Sequence, residues 1–163
     1  MQGDKKIYET LKKLNISFKY YEHPSIPTID LAKIYKKNIN ATHCKNIFLR
    51  NHKGNKHFFI VVEQNYDVNI RKLELLLKQG KLSFASEKRL NKYLNVKPGA
   101  VSPLGLIYDT DNNTHVFIDK NLERAKELSF HPNIDNVSLV IKTIDLLKYL
   151  TATGNSFEFI ELY

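Results

Sequence analysis

Residues 44–50, CKNIFLR, place the polar pair Lys45 and Asn46 at the opening of a run that otherwise fits a buried β-strand. A second apolar run, residues 57–62 (HFFIVV), follows the turn-forming residues 53–55 (KGN), and this pattern predicts a β-hairpin. A cation beside an apolar strand needs a reason, because an unpaired buried ammonium costs free energy. The stretch therefore predicts both a hairpin and a functional position within it.

Outward from this hairpin, hydrophobic periodicity predicts helices and strands along the whole chain. The predicted helices cover residues 4–14, 28–37, 68–77, 86–94 and 143–150, with a short helix or turn over 121–126. The predicted strands cover residues 17–21, 46–50, 57–62, 82–85, 106–108, 115–118, 129–131, 138–141 and 157–160. Strands in hairpins with helices between them indicate the α+β class, with a mixed, largely antiparallel sheet and flanking helices. We expect a single domain over residues 1–163.

Hydroxyl and glycine residues mark the expected helix ends. Thr28, Ser86 and Thr143 each stand where an N-cap oxygen can accept a hydrogen bond from the first turn of a helix. Gly80 is expected to end the third helix, because glycine adopts the left-handed conformation of a C-terminal cap without strain.

Composition narrows the class of protein. No apolar run approaches the ~18 residues of a membrane span, and the first residues, MQGDKK, are not followed by an apolar segment, so we expect neither membrane insertion nor a signal peptide. The single cysteine, Cys44, excludes an internal disulfide and fits a reducing cytoplasm. The histidines lack H-x-x-x-H and H-E-x-x-H spacing, so no metal site is predicted.

The charge of +8 is unevenly distributed. Residues 1–100 hold 20 of the 25 basic and 8 of the 17 acidic side chains, which leaves +12 there and −4 in residues 101–163. A positive field of this kind favours phosphate-rich partners. A general bias of the proteome toward lysine, asparagine and isoleucine is the alternative explanation, and charge alone does not separate the two.

Two later segments are candidate partners for Lys45. Residues 97–105, KPGAVSPLG, form a loop punctuated by glycine and proline, and residues 130–133, FHPN, carry a histidine before a proline. A cation, a backbone-rich loop and an imidazole together suit an anionic or ester ligand better than a metal ion.

The segments EHP (residues 22–24), CKNIFLR (44–50), KPGAVSPLG (97–105) and FHPN (130–133), in this order, resemble the YbaK/ProX superfamily. That superfamily comprises aminoacyl-tRNA editing domains, inserted in bacterial prolyl-tRNA synthetases or free-standing. The resemblance covers about residues 5–150, and the chain has no synthetase catalytic or anticodon-binding region, which points to the free-standing branch.

The resemblance implies the editing-domain fold and a cytoplasmic hydrolase that maintains translation fidelity. Its expected substrate is tRNA(Pro) mischarged with alanine, and a prolyl-tRNA synthetase is a candidate partner. A synthetase pocket built for proline discriminates poorly against a smaller side chain, since a methylene is worth only ~1–3 kcal/mol, so a second site must remove alanine. No cofactor is expected for hydrolysis of an activated ester.

In this family the essential lysine corresponds to Lys45, which is expected to hold the tRNA 3′ end, as a compact charge suited to phosphate. The alternative is an ordinary surface lysine at a strand start. Asn46 could hold Lys45, bind the terminal ribose or serve as a turn residue, since its amide both donates and accepts hydrogen bonds.

The loop is expected to bind the aminoacyl ester through its backbone N–H groups, and a simple turn is the alternative. Its candidate binding residues are Gly99, Ala100, Val101, Ser102 and Pro103. Ser102 is not expected to be a nucleophile, because it lacks a G-x-S-x-G setting. Cys44 is likewise expected to be inert packing.

His131 matches the His-Pro of the family, whose chemistry is described as substrate-assisted: a free hydroxyl of the terminal ribose helps to activate water. We expect His131 to shape the aminoacyl pocket and limit side-chain size. A general base or a structural histidine near a turn are its alternatives. Thr28 is expected to be a helix cap and a candidate pocket wall.

Two functional alternatives stay open from the sequence. The same fold could edit a different mischarged amino acid, such as cysteine, serine or threonine, because one methyl group decides the choice. A binding module that senses aminoacyl-tRNA or a phosphate ligand without hydrolysis fits the basic residues 1–100 equally well.

Overall fold

The computed structural model describes residues 1–25 and 29–162, which form five α-helices around one mixed sheet. The helices are α1 Lys5–Lys13, α2 Ile29–Lys36, α3 Ile70–Leu77, α4 Glu87–Leu94 and α5 Thr143–Thr153. The strands are β1 Lys19–Glu22, β2 Thr42–Arg50, β3 His57–Glu63, β4 Ser83–Phe84, β5 Thr114–Asp119, β6 Glu127–Phe130, β7 Val137–Lys142 and β8 Phe157–Ile160. Two 3-10 helices span Pro103–Tyr108 and Lys120–Arg124. No helix in these described residues has the length and apolar character to cross a bilayer.

The strand order is β1-β7-β6-β2-β3-β5-β8, and the short β4 also pairs with β2. Four pairings are antiparallel (β1 with β7, β7 with β6, β2 with β3, β2 with β4), and three are parallel (β2 with β6, β3 with β5, β5 with β8). The predicted α+β class with a mixed sheet and flanking helices is confirmed. The predicted hairpin of residues 46–62 becomes the β2–β3 pair at the centre of the sheet.

The central strands bury both faces, because successive side chains of a strand point to opposite sides. Phe59 and Val61 of β3 join a main core that contains residues of α1, α4, α5 and the first 3-10 helix. Ile60 and Val62, the alternate residues, join a second core that includes Leu73 of α3. Because both of its faces are buried, β3 is a continuous apolar run rather than an alternation of apolar and polar residues.

Residues 106–108 belong to a 3-10 helix, so the strand predicted there is wrong. Pro103 opens this helix with its fixed backbone angle, and the hydroxyl of Ser102 accepts a hydrogen bond from Leu104 N at 3.1 Å. The buried Tyr149 hydroxyl donates to Leu104 O at 2.6 Å. These two side chains satisfy the backbone N–H and C=O groups of Leu104 without a neighbouring strand.

Two predicted helix ends are also wrong. Helix α3 ends at Leu77, and its C-cap is Lys78, which takes the left-handed conformation with φ 52° two residues before Gly80. The N-cap of α5 is Lys142, and no side chain caps it. The hydroxyl of Thr143 instead donates to Ala125 O at 2.5 Å, because the preceding 3-10 helix ends beside it. Ser86 does cap α4, accepting from Arg89 N at 3.2 Å.

Candidate functional site

Strand β2 is open along part of one edge. On that edge β6 pairs with residues 42–43 and β4 pairs with residues 49–50, whereas β3 pairs with residues 44–50 on the other edge. Within the described part of the chain, no strand covers the open edge between those two pairings. Unpaired backbone groups at a strand edge are ready partners for a ligand.

The backbone of Asn46 faces this opening. His43 O accepts from Gln64 N on the β3 side, and Phe48 O accepts from Ala85 N on the open side. Because backbone groups alternate along a strand, Asn46 shares the orientation of Phe48. In addition, Asn46 Oδ1 is buried and lacks a hydrogen-bond partner among the described residues, which leaves an acceptor for a ligand donor.

Lys45 points to the opposite face from Asn46 and lies well inside β2, which begins at Thr42 rather than at the predicted Asn46. Its side chain is only 21% exposed, and Nζ lies 3.1 Å from Oδ1 of Asp67. Asp67 is fully exposed, so this ion pair is screened by solvent and easily exchanged.

Lys45 lines a surface cavity of about 540 Å³. The walls are mostly apolar, and they include an exposed aromatic ring. The lining residues are Lys45, Ile47, Asp67, Val68, Ile70 and Phe84. A single ammonium over an apolar floor is suited to a ligand that combines a charged group with a flat or apolar one.

The loop of residues 97–105 offers backbone donors. Gly99 has φ +94°, and an added Cβ would meet nothing within 4 Å, so this loop tip is open. Ala100 N donates to Lys97 O at 3.3 Å. Among the described residues, the N–H groups of Gly99 and Val101 donate to no protein acceptor. Ser102 is fully buried, and its hydroxyl serves the 3-10 helix, which fits the expectation that it is no nucleophile.

The loop is fixed against the segment that carries His131. Asn133 donates from Nδ2 to Leu94 O at 2.9 Å and to Asn95 O at 3.2 Å. Gly105 packs so closely that an added Cβ would lie 2.7 Å from Leu94 O. Together the loop and this segment enclose a second cavity of about 480 Å³. Its lining residues include Val96, Lys97, Pro98, Ala100, Asn133, Ile134 and Asp135.

His131 follows directly after β6, at the open edge of β2. The last residue pair between β2 and β6 is His43 with Ser129. Lys45 lies two residues after His43, and His131 lies two residues after Ser129. The ring donates from Nδ1 to Val137 O at 2.6 Å, which leaves Nε2 as an acceptor. Burial lowers the pKa of His131 to about 4, with a smaller contribution from the nearby ammonium of Lys36, so the ring is neutral at pH 7.

Sequence reasoning missed the basic surroundings of this ring. Lys36 of α2 is 9% exposed, and burial lowers its pKa. Burial and the Lys36 charge together lower the pKa of His43, whose Nδ1 is buried without a partner among the described residues. The ring of His23 lies 6.0 Å from that of His131. No local sequence signal marks Lys36, because it looks like any other lysine on a helix.

The structure therefore gathers part of the predicted site. The loop and Asn133 line one cavity, whose lining includes neither His131 nor Lys45. Lys45 and His131 each lie two residues beyond the last β2–β6 pair, and Lys45 lines a different cavity, with Asp67 and Phe84. Thr28 lies outside the described residues. Burial raises the pKa of the Cys44 thiol, which disfavours the thiolate form of a nucleophile. The described residues contain no cluster of three or more metal-ligating acidic, histidine or cysteine side chains.

Known proteins resemble this chain in family, in sequence and in fold. The family model described as "Aminoacyl-tRNA editing domain" matches residues 23–149. The "Prolyl-tRNA editing protein ProX" of Acetoanaerobium sticklandii is 36% identical over 163 residues, which cover 99% of both chains. The "Prolyl-tRNA synthetase associated domain-containing protein 1" of Danio rerio is 28% identical over 154 residues, covering 93% of this chain and 83% of that protein. A solved structure of a candidate trans-editing enzyme for prolyl-tRNA synthetase aligns with a TM-score of 0.73 at 18% identity, covering 96% of this chain and 93% of the other, and this likeness shows the fold.

Proposed function

The chain belongs to the aminoacyl-tRNA editing domain family, and on that premise we propose that it is a trans-editing deacylase that removes alanine from mischarged tRNA(Pro). The observation that carries the proposal is the match of the whole chain to a relative named for prolyl-tRNA editing. The reaction is hydrolysis of an activated ester, so the site has to bind the tRNA end, orient a water and stabilise an oxyanion. A proline site admits the smaller alanine, and a separate hydrolytic site corrects the error.

Lys45 binds the phosphate of the terminal nucleotide in this proposal. Its ammonium is held by packing at 21% exposure, and its partner Asp67 is fully exposed. A phosphate oxygen can take the place of that carboxylate because the existing ion pair is weak. The excess of basic residues in positions 1–100 attracts the tRNA and speeds encounter, without contributing sequence specificity.

The backbone supplies the oxyanion donors. When water attacks the ester carbonyl, negative charge develops on its oxygen, and the N–H groups of Gly99 and Val101 are the proposed donors to it. The C–O bond to the ribose then breaks, and the ribose oxygen leaves with a proton while alanine departs as its carboxylate. Asn46 binds the terminal ribose, since its Oδ1 lacks a donor among the described residues. Ala100 lines the cavity beside the proposed oxyanion donors, whereas Ser102 and Pro103 are buried and support the loop from the start of the 3-10 helix. Thr28 is a proposed substrate-binding residue that lies outside the described residues.

His131 shapes the aminoacyl pocket rather than acting as a general base. A base is most effective when its pKa lies near the working pH, and burial holds the pKa of His131 at about 4. Its Nε2 is free to accept a hydrogen bond from the substrate, since Nδ1 is committed to Val137 O. The neighbouring hydroxyl of the terminal ribose accepts a hydrogen bond from the attacking water and relays a proton: it receives one from the water and gives its own to the leaving ribose oxygen. The second proton of the water passes to solvent when alanine ionises.

A panel of tRNA(Pro) charged with alanine, cysteine, serine, threonine or proline tests this proposal. We expect the wild-type protein to remove alanine from the tRNA quickly and proline slowly, in a buffer that resembles the cytoplasm and contains no added metal. If the protein removes cysteine, serine or threonine fastest, the proposed substrate is wrong and the proposed hydrolytic mechanism stands. Tight binding of the panel with no turnover would replace the deacylase by a binding module. Addition of a prolyl-tRNA synthetase to the same assay tests whether that protein is a partner.

A further inference from the structure

Phe84 is a large apolar ring left in solvent beside the proposed catalytic lysine. It belongs to β4, a strand of two residues that pairs with the end of β2, and its side chain is 71% exposed. The ring lines the same cavity as Lys45, and Ile47, Val68 and Ile70 complete the apolar part of that cavity. An exposed aromatic next to a cation in one cavity marks a binding site more than a packing defect.

The chain around Phe84 is strongly basic. Residues 71–97 contain eight lysine or arginine residues and two acidic residues. An interface with another protein is usually depleted of charge around its aromatic anchors. An aromatic ring in a basic segment, beside a lysine in the same cavity, is instead typical of proteins that hold unpaired nucleotides, with bases stacked on the ring and phosphates attracted by the charges.

We propose that Phe84 is a stacking platform for an unpaired base at the 3′ end of the tRNA, and that Lys45 of the same cavity takes the adjoining phosphate. The assignment rests on the proposed function of this site and names a further contact within it. The stacked base is held by one open face of the ring, so the contact tolerates any base. Its role is to position the strand so that the ester reaches the open edge of β2.

The test is a tRNA(Pro) acceptor minihelix that carries 2-aminopurine as its last base and no amino acid. Stacking on Phe84 quenches the fluorescence of this base when the wild-type protein binds. Phe84→Ala should abolish the quenching and weaken binding by about 5- to 100-fold, the range expected for one stacked base. Phe84→Tyr should restore both, because tyrosine keeps the aromatic face. The matched control is Leu76→Ala, which removes a side chain that is 63% exposed and lies outside the cavity.

Deacylation measured with the same variants separates this inference from the proposed function. We expect Phe84→Ala to raise KM for alanyl-tRNA(Pro) more than it lowers kcat. Unchanged affinity and unchanged quenching in Phe84→Ala, with a wild type that hydrolyses alanyl-tRNA, would overturn the stacking role and leave the deacylase intact. Quenching that depends on Phe84, in a wild-type protein that hydrolyses no aminoacyl-tRNA, would support the stacking role and refute the deacylase. Loss of synthetase binding with intact RNA binding would assign the ring to a protein partner and refute the stacking role.

Discussion

Protonation of His131 should destabilise the fold as the pH falls from 7 to 5. Burial, with smaller contributions from the charges of Lys36 and His23, lowers the pKa of this ring from 6.5 to about 4 in the folded state, although the hydrogen bond to Val137 O and the charge of Asp135 oppose the shift. In the unfolded chain the ring returns to its ordinary pKa and binds a proton more readily. Stability is therefore present above pH 6.5 and is lost progressively as the pH falls toward 4.

The magnitude follows from the two pKa values. At pH 7 the difference lowers the free energy of unfolding by roughly 0.2 kcal/mol, and at pH 5 it lowers it by about 2 kcal/mol, because one pKa unit corresponds to about 1.4 kcal/mol. The test variant is His131→Asn, whose amide can still donate to Val137 O while it cannot titrate. We expect its free energy of unfolding to fall by about 2 kcal/mol less than that of the wild type between pH 7 and pH 5.

Urea denaturation at pH 7, 6 and 5 measures this difference, with the midpoint and the m value fitted at each pH. His43 and His57, whose pKa values are also lowered by burial, remain in both proteins and cancel in the comparison. His52→Asn, which changes an exposed ring, is the matched control and should follow the wild type. Equal losses of stability in His131→Asn and in the wild type would refute the reasoning.

Three further predictions concern the same region. Gly105→Ala should lower the free energy of unfolding by about 1–3 kcal/mol in urea, because its Cβ would lie 2.7 Å from Leu94 O, and wild-type stability would contradict this. Asp67→Asn should tighten binding of uncharged tRNA by about twofold to fivefold at low salt, since it frees the Lys45 ammonium, and weaker binding would show that the carboxylate helps to position it. Cys44 should react slowly with iodoacetamide at pH 8 in the folded protein and quickly in urea, because burial raises its pKa, and equal rates would place it in solvent.

The elements that local chemistry controls were predictable from the sequence. The turn residues 53–55 and the apolar runs on either side define the β2–β3 hairpin, and Ser86 caps α4 as expected. The strand predicted over residues 106–108 is wrong because a short apolar run fits a strand and a buried 3-10 helix equally well. Thr143 was misread for a related reason: its hydroxyl has a partner, Ala125 O, that is remote in sequence.

The site was harder to predict because its contacts are long-range. The ion pair of Lys45 with Asp67 joins residues 22 positions apart, and neither signals the other. The burial of Lys36 depends on how α2 packs near His131, which periodicity does not reveal. Motif order pointed to Lys45, the loop and His131, whereas the open edge of β2 depends on how the strands pair in the sheet.

Deacylation of alanyl-tRNA(Pro) by the wild type and by Lys45→Ala tests the central claim most directly, with prolyl-tRNA(Pro) as the second substrate. Lys53→Ala, in the exposed β2–β3 turn, is the matched control for loss of one positive charge. We expect rapid loss of alanine only, abolished in Lys45→Ala at unchanged thermal stability and retained in Lys53→Ala. Full activity of a folded Lys45→Ala protein would contradict it.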